Sequence, residues 1–248
     1  MTDEVLSYVL MLAVIGLASY VQAVIGFGIA LIVISVVASL DLMPIGDAAV
    51  IITMIAMANT STSLLKNRSA VRWREAGVSL VFSLPAIALG LYMLNVLSGE
   101  HLAVLRIVLG VTILASALML LKPPRTGAMI SGLPSFAVFG VLSGILSGMF
   151  STGGPPVVFQ FYRQPLSLPV IRDSLLALFL VGSTARTVMV AATDGIETRL
   201  LILTAISLPL VVVFSMLGRK YPPRVSELRL RQMVFALLAL TSVSLMVP

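Results

Sequence analysis

The residues best able to do chemistry in this 248-residue chain lie in one run, Ser147-Gly148-Met149-Phe150-Ser151-Thr152-Gly153-Gly154-Pro155-Pro156. Hydroxyls and backbone bared by paired glycines hydrogen-bond anions, and proline is favoured in the first turn of a helix, so Pro155-Pro156 opens the short apolar run that follows. A helix N-terminus directs free N–H groups and about half a positive charge at whatever lies in front of it. Gly26-Phe27-Gly28 offers a second copy, with Gln22 one turn earlier as a side-chain donor. Together these places predict a small-anion site formed by Gln22, Gly26, Phe27, Gly28, Ser151, Thr152, Gly153 and Gly154. The competing reading is that the glycines only permit close helix packing.

Further candidates sit inside apolar stretches, where a charged or strongly polar side chain is costly unless it faces a cavity or a partner. Arg186 is one, with two readings: contact with the anion, or snorkelling along its apolar stem to the nearby membrane interface. Asn59 heads the polar run Asn59-Thr60-Ser61-Thr62-Ser63, which lines a pathway or bonds back to its own helix. Arg106 and Trp73 suit the membrane interface, and the 13 methionines are packing rather than metal ligands. Groups for catalysis are scarce. One histidine, His101, and no cysteine leave no disulfide, thiolate nucleophile or sulfur-ligated metal. No enzyme activity, cofactor or metal site is expected. The enzymatic rival, a serine protease using Ser143 or Ser151 with His101, needs those groups within hydrogen-bond reach.

Apolar helices must position these residues, and the composition supplies them. Hydrophobic residues make up 59% of the chain and charged residues 10%, against roughly a quarter in soluble domains. Mean hydropathy is +1.11. Such a chain has too little polar surface for water and reads as an all-α polytopic membrane protein, one domain over 1–248. Runs near 5–25, 46–65, 76–97, 102–121, 132–150, 174–192, 200–217 and 230–247 have the roughly 20 residues that cross a bilayer. Two more, about 29–40 and 157–162, are too short to cross and predict half-helices, the second closed by the breaker Pro165-Leu166-Ser167-Leu168-Pro169. The leader Met1-Thr2-Asp3-Glu4 is acidic, so the first run is expected to be retained rather than cleaved.

Of the 16 Lys and Arg residues, 13 lie in the segments 66–75, 122–131, 163–172 and 219–231, which the positive-inside rule makes cytoplasmic. Seven of ten carboxylates, Asp3, Glu4, Asp41, Asp47, Glu100, Asp194 and Glu197, mark the other side, where both termini fall. This bias accounts for the net charge of +6 without a nucleic-acid partner. It also makes the two short hairpins enter from opposite faces. Five segments before the 122–131 linker and five after it, 1–121 and 132–248, then form an inverted repeat of the kind secondary transporters use. Few carboxylates fall in the spans, which argues against a buried Asp or Glu proton relay.

The run Gly140-Val141-Leu142-Ser143-Gly144-Ile145-Leu146-Ser147-Gly148, continuing to Pro156, resembles the glycine-rich signature of the second repeat of the sulfite exporter TauE/SafE family. Val24-Ile25-Gly26-Phe27-Gly28 is similar to that of the first repeat, departing from it at Ile29-Ala30, where members often carry further glycines. Ser83 to Gly90, Leu105 to Gly110 and Leu208 to Arg219 resemble later helices, so the likeness covers nearly the whole chain. It implies a bacterial inner-membrane transporter that exports sulfite or a small organosulfonate such as sulfoacetate, and it carries substrate contacts onto Gly26, Phe27, Gly28, Thr152, Gly153 and Gly154. The expectation is alternating access, with the anion held at opposed half-helix N-termini; a channel with the same binding groups is the alternative. The partners expected are the small anion and the lipid bilayer, while a homodimer and the coupling ion, proton or sodium, stay open.

Overall fold

The computed structural model describes residues 2–25, 28–66, 71–99, 101–121, 129–193, 195–221 and 227–246. Every regular element among them is an α-helix: α1 (Thr2–Ile25), α2 (Ile29–Ser39), α3 (Ile45–Lys66), α4 (Trp73–Gly99), α5 (Leu102–Leu121), α6 (Leu133–Phe150), α7 (Gly154–Tyr162), α8 (Leu168–Thr193), α9 (Thr198–Lys220) and α10 (Glu227–Met246). At 1.5 Å per residue, α2 and α7 rise only about 15 Å, half of the hydrocarbon thickness. Both are too short to cross a bilayer, as the lengths of their apolar runs require. Two of the boundaries that differ from expectation share one reason. Proline fits a first helical turn, so α7 begins three residues early at Gly154, and Pro169 opens α8 instead of closing the segment before it.

Among the described residues, six helices are long and apolar enough to cross a membrane: Leu6–Val24, Trp73–Gly99, Leu102–Met119, Leu133–Phe150, Leu168–Thr193 and Thr198–Gly218. The chain is therefore a multi-pass membrane protein. The apolar parts of α3 and α10, Ile45–Ala58 and Gln232–Met246, are shorter, because α3 ends in the polar run from Asn59 and α10 begins with Glu227, Arg229 and Arg231.

The chain forms two compact units that interleave along the sequence. The first contains Met1–Ile55, Glu100–Leu121 and Glu197–Pro248; the second contains Ala56–Gly99 and Lys122–Ile196. In the second unit α4 and α6 pack with their backbones in contact. A Cβ added at Gly140, Gly144 or Gly148 would stand 2.5, 2.4 or 2.3 Å from the carbonyl oxygens of Ser79, Ser83 and Ile87, distances no side chain tolerates. Both sets of residues advance by four, so the two helices run parallel and meet along one stripe each. In the first unit, α1 and α9 are likewise parallel, with Gly16 against Leu210 and Phe214, and Gly218 against the Tyr20 carbonyl.

Polar links in the first unit gather at helix starts. Arg199 reaches Asp47 at 2.9 Å and Tyr8, and Arg106 pairs with Asp41. Trp73 stands 63% exposed at the start of α4, as an interface residue does. Two carboxylates are buried within helices. Glu75 and Asp173, each 4% exposed, lie near the starts of α4 and α8, both of which begin earlier than the apolar runs suggested. Arg72 grips Glu75 with two hydrogen bonds, 3.1 and 2.7 Å.

Candidate functional site

The α6–α7 hairpin tip is built by backbone chemistry that its sequence dictates. Ser151 takes the left-handed conformation, φ 59°, and ends α6; its N–H returns to the Ser147 carbonyl, and the Thr152 N–H to Leu146. These bonds close the end of α6, where the last carbonyls of a helix lack partners of their own. Another of those carbonyls, that of Gly148, accepts the Nε–H of Arg186 at 3.2 Å. Arg186 is 1% exposed. A cation at a helix C-terminus is favourable, and its burial against α6 runs counter to the snorkelling alternative, which needs the guanidinium at the lipid surface.

Immediately past this turn, Gly153 caps α7 and Gly154-Pro155-Pro156 forms its first turn. Proline has no N–H, so of the donors a helix start normally offers, only those of Gly153 and Gly154 can serve a ligand here. The Thr152 hydroxyl adds a third. It is buried, with no hydrogen-bond partner among the described residues, in a side chain 1% exposed. Leaving such a group dry and unpaired costs about 1–3 kcal/mol.

The two glycines are present for different reasons. At Gly153 an added Cβ would lie 2.4 Å from the Ser143 carbonyl oxygen, so this residue lets α7 close against α6. The Ser143 hydroxyl seals the contact by donating to the Gly153 carbonyl. At Gly154 the nearest atoms are those of the Phe179 ring at 3.7 and 3.9 Å, ordinary van der Waals distance. Packing thus explains Gly153 and leaves Gly154 free for close approach of a ligand.

The rest of α7 is held by aromatic pairs, Phe136 with Phe161 edge-on at 5.3 Å and Phe139 with Phe159 at 5.8 Å. Beyond its last turn Gln164 fastens the exit, accepting from the Ser131 N–H at 2.8 Å and donating to the Gln160 carbonyl at 2.6 Å. Sequence reasoning passed over Gln160 and Gln164. Their signal was present as two amides four residues apart in a short apolar segment.

In the first unit, Gly28 caps α2 at φ 113°, a conformation costly for any residue with a side chain, and a Cβ there would meet nothing within 4 Å. Backbone angle rather than space calls for glycine. Gln22 is half-buried, and its Oε1, an acceptor, is buried with no partner among the described residues. Gly26 and Phe27 lie outside the described residues, as does the side chain of Asn59, whose backbone belongs to α3. Thus the structure brings Ser151, Thr152, Gly153, Gly154 and Arg186 into one unit and holds Gln22 and Gly28 in the other. As for the hydrolytic rival, the Ser143 hydroxyl is committed to Gly153 and His101 is exposed beside the start of α5.

The family model described as sulfite exporter TauE/SafE matches residues 11–245. The chain is 36% identical over 236 residues, 95% of its length and 92% of the relative's, to a protein of Cupriavidus necator named probable sulfite/organosulfonate exporter TauE. No solved structure matches. A match over almost the full length, on a chain with six helices able to cross a membrane among the described residues, makes this protein a membrane transporter belonging to the sulfite exporter TauE/SafE family.

Proposed function

We propose that the chain exports a small sulfur-containing oxyanion, sulfite or an organosulfonate such as sulfoacetate, across the bacterial inner membrane by alternating access, binding it at half-helix N-termini. The observation that carries this reading is the buried, unpartnered hydroxyl of Thr152 beside the N-terminus of α7. An oxyanion accepting from that hydroxyl and from the Gly153 and Gly154 N–H groups would satisfy what the fold leaves open, with Arg186 of α8, bonded to the end of α6, supplying charge. The name of the Cupriavidus necator relative supports the substrate class. Export needs little coupling when the cytoplasm is negative. Each negative charge leaving gains about 2.3 kcal/mol per 100 mV, a roughly fiftyfold concentration ratio for a monoanion.

The topology belongs to the same proposal: eight spans and two half-helices, halves 1–121 and 132–248 related by inversion, and both termini periplasmic. The Lys and Arg distribution favours that orientation. Helix pairing favours the inversion, because the first helix of each half packs in parallel on the fourth helix of the other, α1 on α9 and α6 on α4. The test is a thermal-shift panel on purified protein with sulfite, sulfate, thiosulfate, taurine, sulfoacetate and a carboxylate analogue. A substrate at 100 times its Kd stabilises by about 2.7 kcal/mol. A response to sulfite or a sulfonate but not to the carboxylate is expected, and indifference to every sulfur anion would end the reading.

A further inference from the structure

We infer that the side-chain amide of Gln160, on α7, is a further ligand-binding group of this transporter, and that it selects an oxyanion carrying a hydrogen as well as acceptor oxygens, hydrogensulfite being the form of sulfite that has both. The inference rests on the proposed sulfur-anion export and deepens it. Gln160 is 0% exposed, and neither its Nε2 nor its Oε1 has a hydrogen-bond partner among the described residues. Because both atoms are open, the conclusion does not depend on which way the amide is turned.

Gln164 is the internal comparison. It is 1% exposed, one helical turn further on, and both its amide atoms are engaged, one by the Ser131 N–H and one by the Gln160 carbonyl. The same side chain in nearly the same surroundings is thus satisfied by the fold at 164 and left open at 160. Within a membrane protein no lipid can supply the missing bonds, and buried polar groups are paired as a rule. The pairing that the fold leaves open at Gln160 is one a transported ligand can supply. An amide presents two donor hydrogens and an acceptor oxygen, so a ligand that fills both sides must itself accept and donate. Fully ionised oxyanions only accept. The residue lies on α7, about two turns past Gly153 and Gly154, and side chains in helices lean back toward the N-terminus. The amide is fully buried here, so a ligand reaches it only when the packing around it opens.

The experiment compares Gln160→Met, Gln160→Glu and Gln164→Met in detergent, measuring the melting midpoint without ligand and the affinities for sodium sulfite and sodium sulfate near neutral pH. Met keeps the length and the helix preference while removing both polar groups. For Gln160→Met the unliganded midpoint should rise by about 2–4 °C, sulfite affinity should fall about tenfold, and the wild-type preference for sulfite over sulfate should disappear. Gln160→Glu, which keeps an acceptor but loses the donors, should also bind sulfite at least tenfold more weakly if Gln160→Met does not fold. Gln164→Met should melt lower and bind as wild type does. Wild-type sulfite affinity in Gln160→Met, or in Gln160→Glu, would overturn the inference, its amide then serving the fold alone. Failure of the wild type itself to bind sulfite would instead strike the proposed substrate.

Discussion

The Nε of Arg186 on α8 donates to the carbonyl of Gly148 in the last turn of α6, 3.2 Å away, at the point where the α6–α7 hairpin turns. A guanidinium so placed neutralises the negative end of one helix. If it also contributes charge to the anion, substitution should separate the two roles. Lysine keeps the charge but not the planar fork, so Arg186→Lys should fold and bind sulfite about tenfold more weakly, a loss of about 1.4 kcal/mol. Arg186→Gln should bind more weakly still. Isothermal calorimetry in one detergent makes the comparison, and equal affinities across all three proteins would take Arg186 out of the site.

Gly153 and Gly154 should respond oppositely to alanine. At 153 the new methyl meets the Ser143 carbonyl oxygen at 2.4 Å, so Gly153→Ala should lose about 1–3 kcal/mol of stability through overpacking. At 154 the methyl meets only the Phe179 ring at 3.7 Å, and the protein should melt as the wild type does while losing affinity for sulfite. Equal destabilisation by the two changes, read by thermal melting, would contradict the division of roles.

Ser151 holds a left-handed backbone that costs a residue with a side chain about 1–2 kcal/mol. Ser151→Gly should raise the melting midpoint. If the Ser151 hydroxyl also touches the anion, the same variant should bind sulfite less tightly, so a more stable protein with unchanged affinity would remove Ser151 from the site.

The orientation can be read with an impermeant thiol reagent, since the chain has no cysteine of its own. Ser98, at the exposed end of α4, and Ser167, exposed between α7 and α8, are suitable positions. In intact cells Ser98→Cys should label and Ser167→Cys should not. The reverse pattern would invert the proposed topology.

Helix positions were legible because a bilayer demands long apolar runs, and the short helices α2 and α7 announced themselves by falling short of that length. What escaped was contact chemistry. The stripe of Gly140, Gly144 and Gly148 reads equally as flexibility or as packing until the carbonyls of Ser79, Ser83 and Ile87 are seen against it. Arg186 sits near a span end, where the chain alone allows snorkelling; only the fold directs it inward to Gly148. Gln160 and Gln164 look alike in the sequence, and which of them is satisfied depends on Ser131, which lies 33 positions from Gln164 along the chain. The interleaving of the two units, drawing α9 and α10 back onto α1, α2 and α5, likewise follows from helix pairing that periodicity does not encode.

The central claim is that sulfite moves through this protein by binding at the α7 tip, and the initial rate of sulfite efflux from proteoliposomes, measured against internal concentration for wild type and Thr152→Val, tests it most directly. Valine keeps the shape of threonine and removes only the unpartnered hydroxyl. The wild type should give saturable efflux, faster with the internal side negative, and Thr152→Val should be at least as stable while needing about tenfold more sulfite for half-maximal rate, a loss of about 1.4 kcal/mol that a charged hydrogen bond of about 1.5–3 kcal/mol can account for. Efflux that never saturates, or identical curves for the two proteins, would contradict it.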